Sequence, residues 1–306
     1  MMKAPPPQIG RPDPWKHGVG TRLLPRGRLR TMLLSAMLTI IVSLARADWS
    51  FDAETSIFHD SNLSNSERSS DQEADFAWKS AVRAGNGFQL SRDLRLNLGA
   101  DLHDSLWSEY GGFNEIGGGA LASLRYRFGL GRRAPWILFE QRIGYDAFQE
   151  TMRSGWDESL QLRGGVAISE RIAIETGYTF RNFAARDAFF DLQGNRGDVR
   201  LVVDLTSSLQ IAVGYSYRDG DIIAYAVPPQ PALGLISPPR PVSTFGTDPT
   251  YNAYQLRAET HAVSISASYT LTRYLSVQLG YEYAATSHAS LQYENHLLEA
   301  KIGFAY

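Results

Sequence analysis

The tripeptide His-Asp-Ser occurs twice, at His59-Asp60-Ser61 and at His103-Asp104-Ser105. An imidazole, a carboxylate and a hydroxyl are the parts of an acyl-transfer relay, in which the imidazole takes the hydroxyl proton and the carboxylate orients the imidazole. The spacing argues against a shared relay. Alternate residues of an extended chain share a face, so His103 and Ser105 stand together while Asp104 points the other way. The flanking alternation also puts His59 on an apolar face and His103 on a polar one. Asp and Ser are ordinary residues at a strand-to-loop transition. The sequence contains neither a GxSxG elbow nor an HExxH pair. A lipid-directed hydrolase is therefore the weakest functional reading, no catalytic residue is assigned, and the expectation is a non-enzyme without metal or cofactor.

Arginine supplies the other chemistry. Arg125, Arg127, Arg142 and Arg163 come from three consecutive alternating segments and fall on the polar face of each. Neighbouring strands lie about 5 Å apart, so these four guanidinium forks can face one stretch of an acidic oligosaccharide and grip its carboxylates. Glu140 and Asp146 share that face and compete for the same arginines. The whole polar set is mixed in sign, with 11 basic residues such as Lys79, Arg83, Arg181 and Lys301 against 9 acidic ones such as Asp101, Glu175 and Glu282. Two readings stay open: a passage that attracts acidic solutes, and a wall braced by salt bridges.

Twelve alternating segments must position these residues. The apolar face runs through Trp49, Phe51 and Ile57 in the first, and through Leu275, Val277, Leu279, Tyr281 and Tyr283 in the eleventh. The period is two throughout, and no stretch of comparable length shows a helical period. Short links such as Ser91-Arg92-Asp93 and Thr206-Ser207-Ser208 alternate with long ones at 59–74, 105–114, 148–156, 183–197, 219–253 and 284–291. Short turns at one end and long loops at the other predict an all-β, transmembrane, antiparallel up-and-down barrel of about twelve strands. Of 14 prolines, none interrupts a proposed strand, as an unbroken ladder requires.

The two ends fit that fold. Arg22, Arg26, Arg28 and Arg30 precede the apolar run Met32–Leu44, and Ala45-Arg46-Ala47 follows. Residues 1–47 read as a signal peptide and leader cleaved after Ala47, leaving 48–306 as the barrel domain. At 13 residues the run falls short of the roughly 20 that a spanning helix needs. The remaining chain carries 22 basic and 31 acidic residues, which argues against a nucleic-acid partner. With no cysteine, neither a disulfide framework nor a thiol nucleophile is available. The terminal segment His296-Leu297-Leu298-Glu299-Ala300-Lys301-Ile302-Gly303-Phe304-Ala305-Tyr306 alternates strictly and ends on an aromatic ring. In this it resembles bacterial outer-membrane barrels, whose last strand is read by the assembly machinery. The resemblance implies a Gram-negative outer-membrane location with lipid and that machinery as partners.

The stretch Phe58-His59-Asp60-Ser61-Asn62 is similar to the Tyr-Asp-Ser-Asn signature that follows the first strand in a loose group of β-barrel porins, some associated with exopolysaccharide export. Asp60, Ser61 and Asn62 match, and His59 stands in place of the tyrosine. The resemblance implies a polysaccharide-related envelope role and names no substrate or binding residue. The 219–253 link is apolar and holds seven of the prolines. It is expected to stay unpaired, either folded over or into the barrel mouth or free on the surface. Three readings follow: a porin-like passage for small or oligomeric polar solutes, acidic saccharides among them; a structural, assembly or export partner of a secretion or exopolysaccharide system; and, last, the hydrolase.

Overall fold

A computed structural model describes residues 48–131, 133–246, 250–288 and 291–306. The expected leader, 1–47, lies outside the described residues. The strands are β1 (Asp48–Asp60), β2 (Asp75–Gln89), β3 (Leu94–Trp107), β4 (Glu115–Arg127), β5 (Trp136–Phe148), β6 (Gly155–Ala167), β7 (Ile172–Ala185), β8 (Leu192–Asp204), β9 (Leu209–Ala226), β10 (Arg240–Val242), β11 (Tyr251–Thr270), β12 (Leu275–His288) and β13 (Leu291–Ala305). All except β10 form one antiparallel ring. Each pairs with its neighbour in sequence, β9 pairs with β11, and β13 returns to β1. The result is the closed twelve-stranded barrel that the alternation predicts.

Facing follows the pleat. Ile57, Leu102, Leu162, Ile265, Leu279 and Ile302 stand on the outer wall, each at least half exposed. Their sequence neighbours point inward and carry the charge. The apolar side chains have left the core because the ring is too narrow to need them and the outer wall faces hydrocarbon.

Four turns at the short-link end repeat one design. Leu90, Ile168, Leu205 and Leu271 each donate their backbone N–H to the carbonyl four residues on, at Leu94, Ile172, Leu209 and Leu275. The Ser or Thr after each donor folds back to accept a backbone N–H: Ser91 from Asp93, Ser169 from Arg171 and Ile172, Thr206 from Ser208 and Leu209, Thr272 from Tyr274 and Leu275. A hydroxyl thus satisfies the amides that a three-residue reversal leaves unpaired.

The loop end departs from expectation. The 219–253 link does pair: Asp219–Ala226 continue the ladder against Asn252–Glu259, and Arg240–Val242 pair with Tyr251–Ala253. Its prolines lie beyond those stretches or, as with Pro241, on the short β10 edge. The 284–291 link is likewise mostly ladder, with β12 and β13 paired to His288 and Leu291. Strands β9 and β11, at 18 and 20 residues, therefore overrun the 9–11 residues that cross a bilayer and rise past the rim as one hairpin.

Candidate functional site

The lumen is built in two tiers under a roof. In the upper tier Arg142 of β5 grips Asp101 of β3 with both arms of its fork, Nε to Oδ1 at 2.9 Å and Nη2 to Oδ2 at 2.9 Å. Its remaining Nη1 donates to Asp157 of β6 at 2.9 Å. Arg181 of β7 donates from Nε to the other oxygen of Asp157 at 2.6 Å. Asp146 stands 3.9 Å from Arg181 and 3.3 Å from His103 Nε2, while His103 Nδ1 faces Asp101 at 3.4 Å. Four strands, β3, β5, β6 and β7, contribute to this network, which passes over β4.

Glycines make the bed for it. A Cβ at Gly117 would meet His103 Nε2 at 2.5 Å, and one at Gly144 would meet Arg142 Nη2 at 2.8 Å. Its centre is well shielded: the Arg142 side chain is 15% exposed, Asp101 10%, Asp157 8% and Asp146 4%, whereas Arg181 at its edge is 57% exposed. Removing one partner from such a set leaves buried charge uncompensated.

The lower tier, toward the short turns, is different. Arg95, Arg125, Leu138 and Arg163 lie opposite one another on one row across β3–β6. Arg127 is one inward position nearer the turns. Arg142 is four residues further along β5 than Leu138, about 13 Å away. The expected cluster of four arginines is therefore corrected to three: Arg125, Arg127 and Arg163 stay together, joined by Arg95, and Arg142 belongs to the upper tier. Parity gave facing correctly but carries no height, and Arg142 was separated by height alone. Among the described residues no carboxylate oxygen comes within 4.0 Å of Arg95, Arg125, Arg127 or Arg163. Arg125 lies over the Trp136 ring at 4.8 Å, and Arg163 lines a recess with Glu175, Arg196, Asp198 and Arg200. A second cavity of about 680 Å³ runs from the turn residues Thr272 to Leu275 past Arg83 and Glu54 up to Asp101, His103 and Arg142. The upper tier is its ceiling.

Asp157 and Arg196 were missed as inward groups because they adjoin or fall within stretches read as loops; extending each strand's alternation past its apolar run finds both. Neither His-Asp-Ser copy forms a relay. Ser105 Oγ donates to Glu115 at 3.1 Å, away from His103. His59 packs outward on Phe76, ring centres 4.5 Å apart, while Ser61 Oγ donates to Asn295.

Five loop-side links converge on one aromatic cluster. Leu63 comes from the β1–β2 link, Phe113 from β3–β4, Phe190 from β7–β8, and Val242 and Phe245 from the link between β9 and β11, where they meet Tyr225 and Tyr251. Arg153 of the β5–β6 link lies against Phe113 at 4.3 Å, Phe190 at 5.5 Å and Tyr225 at 5.6 Å. These links leave a closed ring at points spread around its rim, so a cluster reached from all of them spans the opening. Of the two placements left open for the 219–253 link, the structure has it over the mouth. Glu73 latches it, accepting from Tyr110 OH and, at 2.5 Å, from Tyr251 OH. Burial and the Glu73 carboxylate both push the Tyr110 phenol well above its ordinary value.

Asp60, Ser61 and Asn62 anchor this roof. Asp60 accepts from the Asn62 backbone N–H. Asn62, 1% exposed, donates to the carbonyls of Ser66 and Glu294 and accepts from Ser64 Oγ and the Ser66 N–H. Ser61 Oγ accepts from the His296 backbone N–H at 2.8 Å. Tyr225 N–H then donates to the Ser64 carbonyl, and Asn65 Nδ2 to that of Ile223.

A closed barrel with an apolar outer wall, a charged lumen and a roof of long links is the fold of outer-membrane channels. No protein-family model and no curated protein matches the sequence. Among solved structures, an outer-membrane channel from Pseudomonas putida F1 superposes with a TM-score of 0.60 at 12% identity, over 84% of this chain and 95% of that one. The NanC porin aligns at 10% identity over 83% and 98%, with a TM-score of 0.46. At 12% identity the likeness to the Pseudomonas channel is one of fold.

Proposed function

We propose that the protein is a porin-like passage in a Gram-negative outer membrane, taking small or oligomeric polar solutes with a preference for acidic ones, acidic saccharides included. The observation that carries this reading is the lower-tier arginine row. Arg95, Arg125, Arg127 and Arg163 face the lumen without carboxylate partners, although the upper tier shows that this chain pairs arginines where bracing is needed. Guanidinium groups that no carboxylate neutralises attract anions and raise their local concentration. Catalysis has no place in this reading, and no residue is given that role.

Single-channel recording of the refolded protein tests it. Openings that favour anions, and lose that preference in Arg125→Ala with Arg163→Ala, support the passage. A second reading is favoured by the roof: a barrel with a spanned mouth and a braced tier also suits a structural or export partner in an envelope assembly. The two readings separate on a variant with residues 228–246 replaced by a short Gly-Ser link. A passage conducts more in that variant; a braced partner stays silent.

A further inference from the structure

The outer wall carries a constellation that occurs twice. On β9 and β11, Tyr215 OH meets His261 Nδ1 at 2.7 Å, Tyr217 stands directly opposite His261 in the ladder, and the Tyr217 hydroxyl is set against Glu259. On β12 and β13, Tyr281 OH meets His296 Nδ1 at 2.8 Å, Tyr283 stands opposite His296, and its hydroxyl is set against Glu294. Both units are Tyr-x-Tyr on one strand crossed by Glu-x-His on its partner. The four strands are contiguous, so the histidines lie two strand spacings and a two-residue offset apart, about 12 Å. Elsewhere the same belt is built from plain aromatic packing, as with Tyr145 on Trp156.

The units have a defined chemistry. When the tyrosine hydroxyl donates to Nδ1, the imidazole proton sits on Nε2. His261 and His296 are exposed, as are Glu259 and Glu294. The sector therefore offers outward N–H donors, carboxylate acceptors and tyrosine faces side by side. Sugar hydroxyls need donors and acceptors together, and the C–H face of a sugar ring packs on an aromatic face; a phosphate alone would be repelled by the two carboxylates.

Just toward the bilayer from the units the same wall is hollowed into an apolar groove of about 600 Å³. Ile57, Ile265, Leu279 and Leu298 form its sides, and the small outward residues Ala267 and Ala300 make it concave. Tyr281 belongs both to the groove and to a unit, so an apolar site and a sugar-type site are continuous.

We propose that the β9–β11–β12–β13–β1 sector binds one acylated glycolipid of the outer leaflet, its sugars across the two Tyr-x-Tyr/Glu-x-His units and an acyl chain in the groove. The site faces lipid and is independent of conduction through the lumen.

Native mass spectrometry of the barrel released from mixed vesicles of lipopolysaccharide and phosphatidylglycerol tests this. The wild type retains the glycolipid in preference to the phospholipid. His261→Phe with His296→Phe keeps the rings, removes both donors, and lowers glycolipid retention about tenfold. Ala300→Leu fills the groove and lowers it as well. If either fails to fold, Glu259→Gln with Glu294→Gln decides, with the same loss expected. Phospholipid retention and single-channel conductance stay at wild-type levels in all three. Equal retention of the two lipids by the wild type, or glycolipid retention unchanged in the folded variants, overturns the proposal.

Discussion

Arg142 and Arg163 both point into the lumen from neighbouring strands. Arg142 has two aspartates on its fork, and Arg163 has no carboxylate oxygen within 4.0 Å among the described residues. Arg142 and its partners are shielded on several sides, by the glycine bed at Gly117 and Gly144 and by the roof above. Arg163 lies beside an open recess. Arg142 is a brace held among buried aspartates and Arg163 an attractor beside open space, and position along the strand decides between them.

Breaking the brace gives the largest effect. Arg142→Ala leaves Asp101 and Asp157 buried and underpaired, and is expected to cost about 3–5 kcal/mol, read as loss of heat resistance on gels and a lower urea midpoint in lipid. A loss near zero would erase the distinction between the tiers. Next comes the register on which both tiers depend. Leu279→Arg puts charge against hydrocarbon and should cost about 2–4 kcal/mol in vesicle folding, whereas Gln278→Arg, facing the lumen, should be mild. Ser216 also faces inward but is 7% exposed, so an arginine there would collide with packed neighbours.

The lower tier responds in function more than in stability. Arg125→Ala with Arg163→Ala should melt as the wild type does, yet lose preference for anionic solutes in liposome swelling. In the wild type that preference should fade toward 1 M salt, where screening acts over about 3 Å. A fall in melting temperature would move these arginines into the bracing class. The smallest effect concerns pH at the roof. Tyr110 and Tyr251 have phenols raised above the ordinary value near 10, first by burial and then by Glu73. A raised folded pKa means that stability is complete below pH 10 and is lost as the pH climbs above it toward the folded value. Protection of the Tyr225 amide from hydrogen exchange, unchanged to pH 10 and declining above it in wild type, less steeply in Glu73→Gln, checks this.

The barrel was legible because its outer wall faces hydrocarbon, which enforces strict alternation from Trp49 to Phe304. Strand starts at the short turns agree with the structure to within a residue or two for β3, β7, β9 and β12. Loop-side ends were read short for a physical reason. Past the rim, both faces of β9 and β11 are covered, Tyr225 on one side and Ala224 and Tyr254 on the other, so the apolar pattern loses its period. The candidate site was half legible: Arg125, Arg127 and Arg163 fell where parity put them, but of the two aspartates that claim Arg142, Asp157 adjoins a stretch read as a loop and Asp101 comes from a strand two away. Asp101 precedes it by 41 residues, a separation that no local pattern reports.

The self-capped turns carry a consequence for the order of assembly. Each hairpin at Leu90–Leu94, Ile168–Ile172, Leu205–Leu209 and Leu271–Leu275 closes through contacts four residues apart, and such closures are entropically cheap and fast. The β1–β13 seam is the opposite: Asn62 reaches Glu294 across 232 residues of chain. Hairpin by hairpin the sheet can grow while still an open, curling ribbon with two bare edges, and the clasp formed by Ser61 and Asn62 is where that ribbon stops being able to recruit another strand.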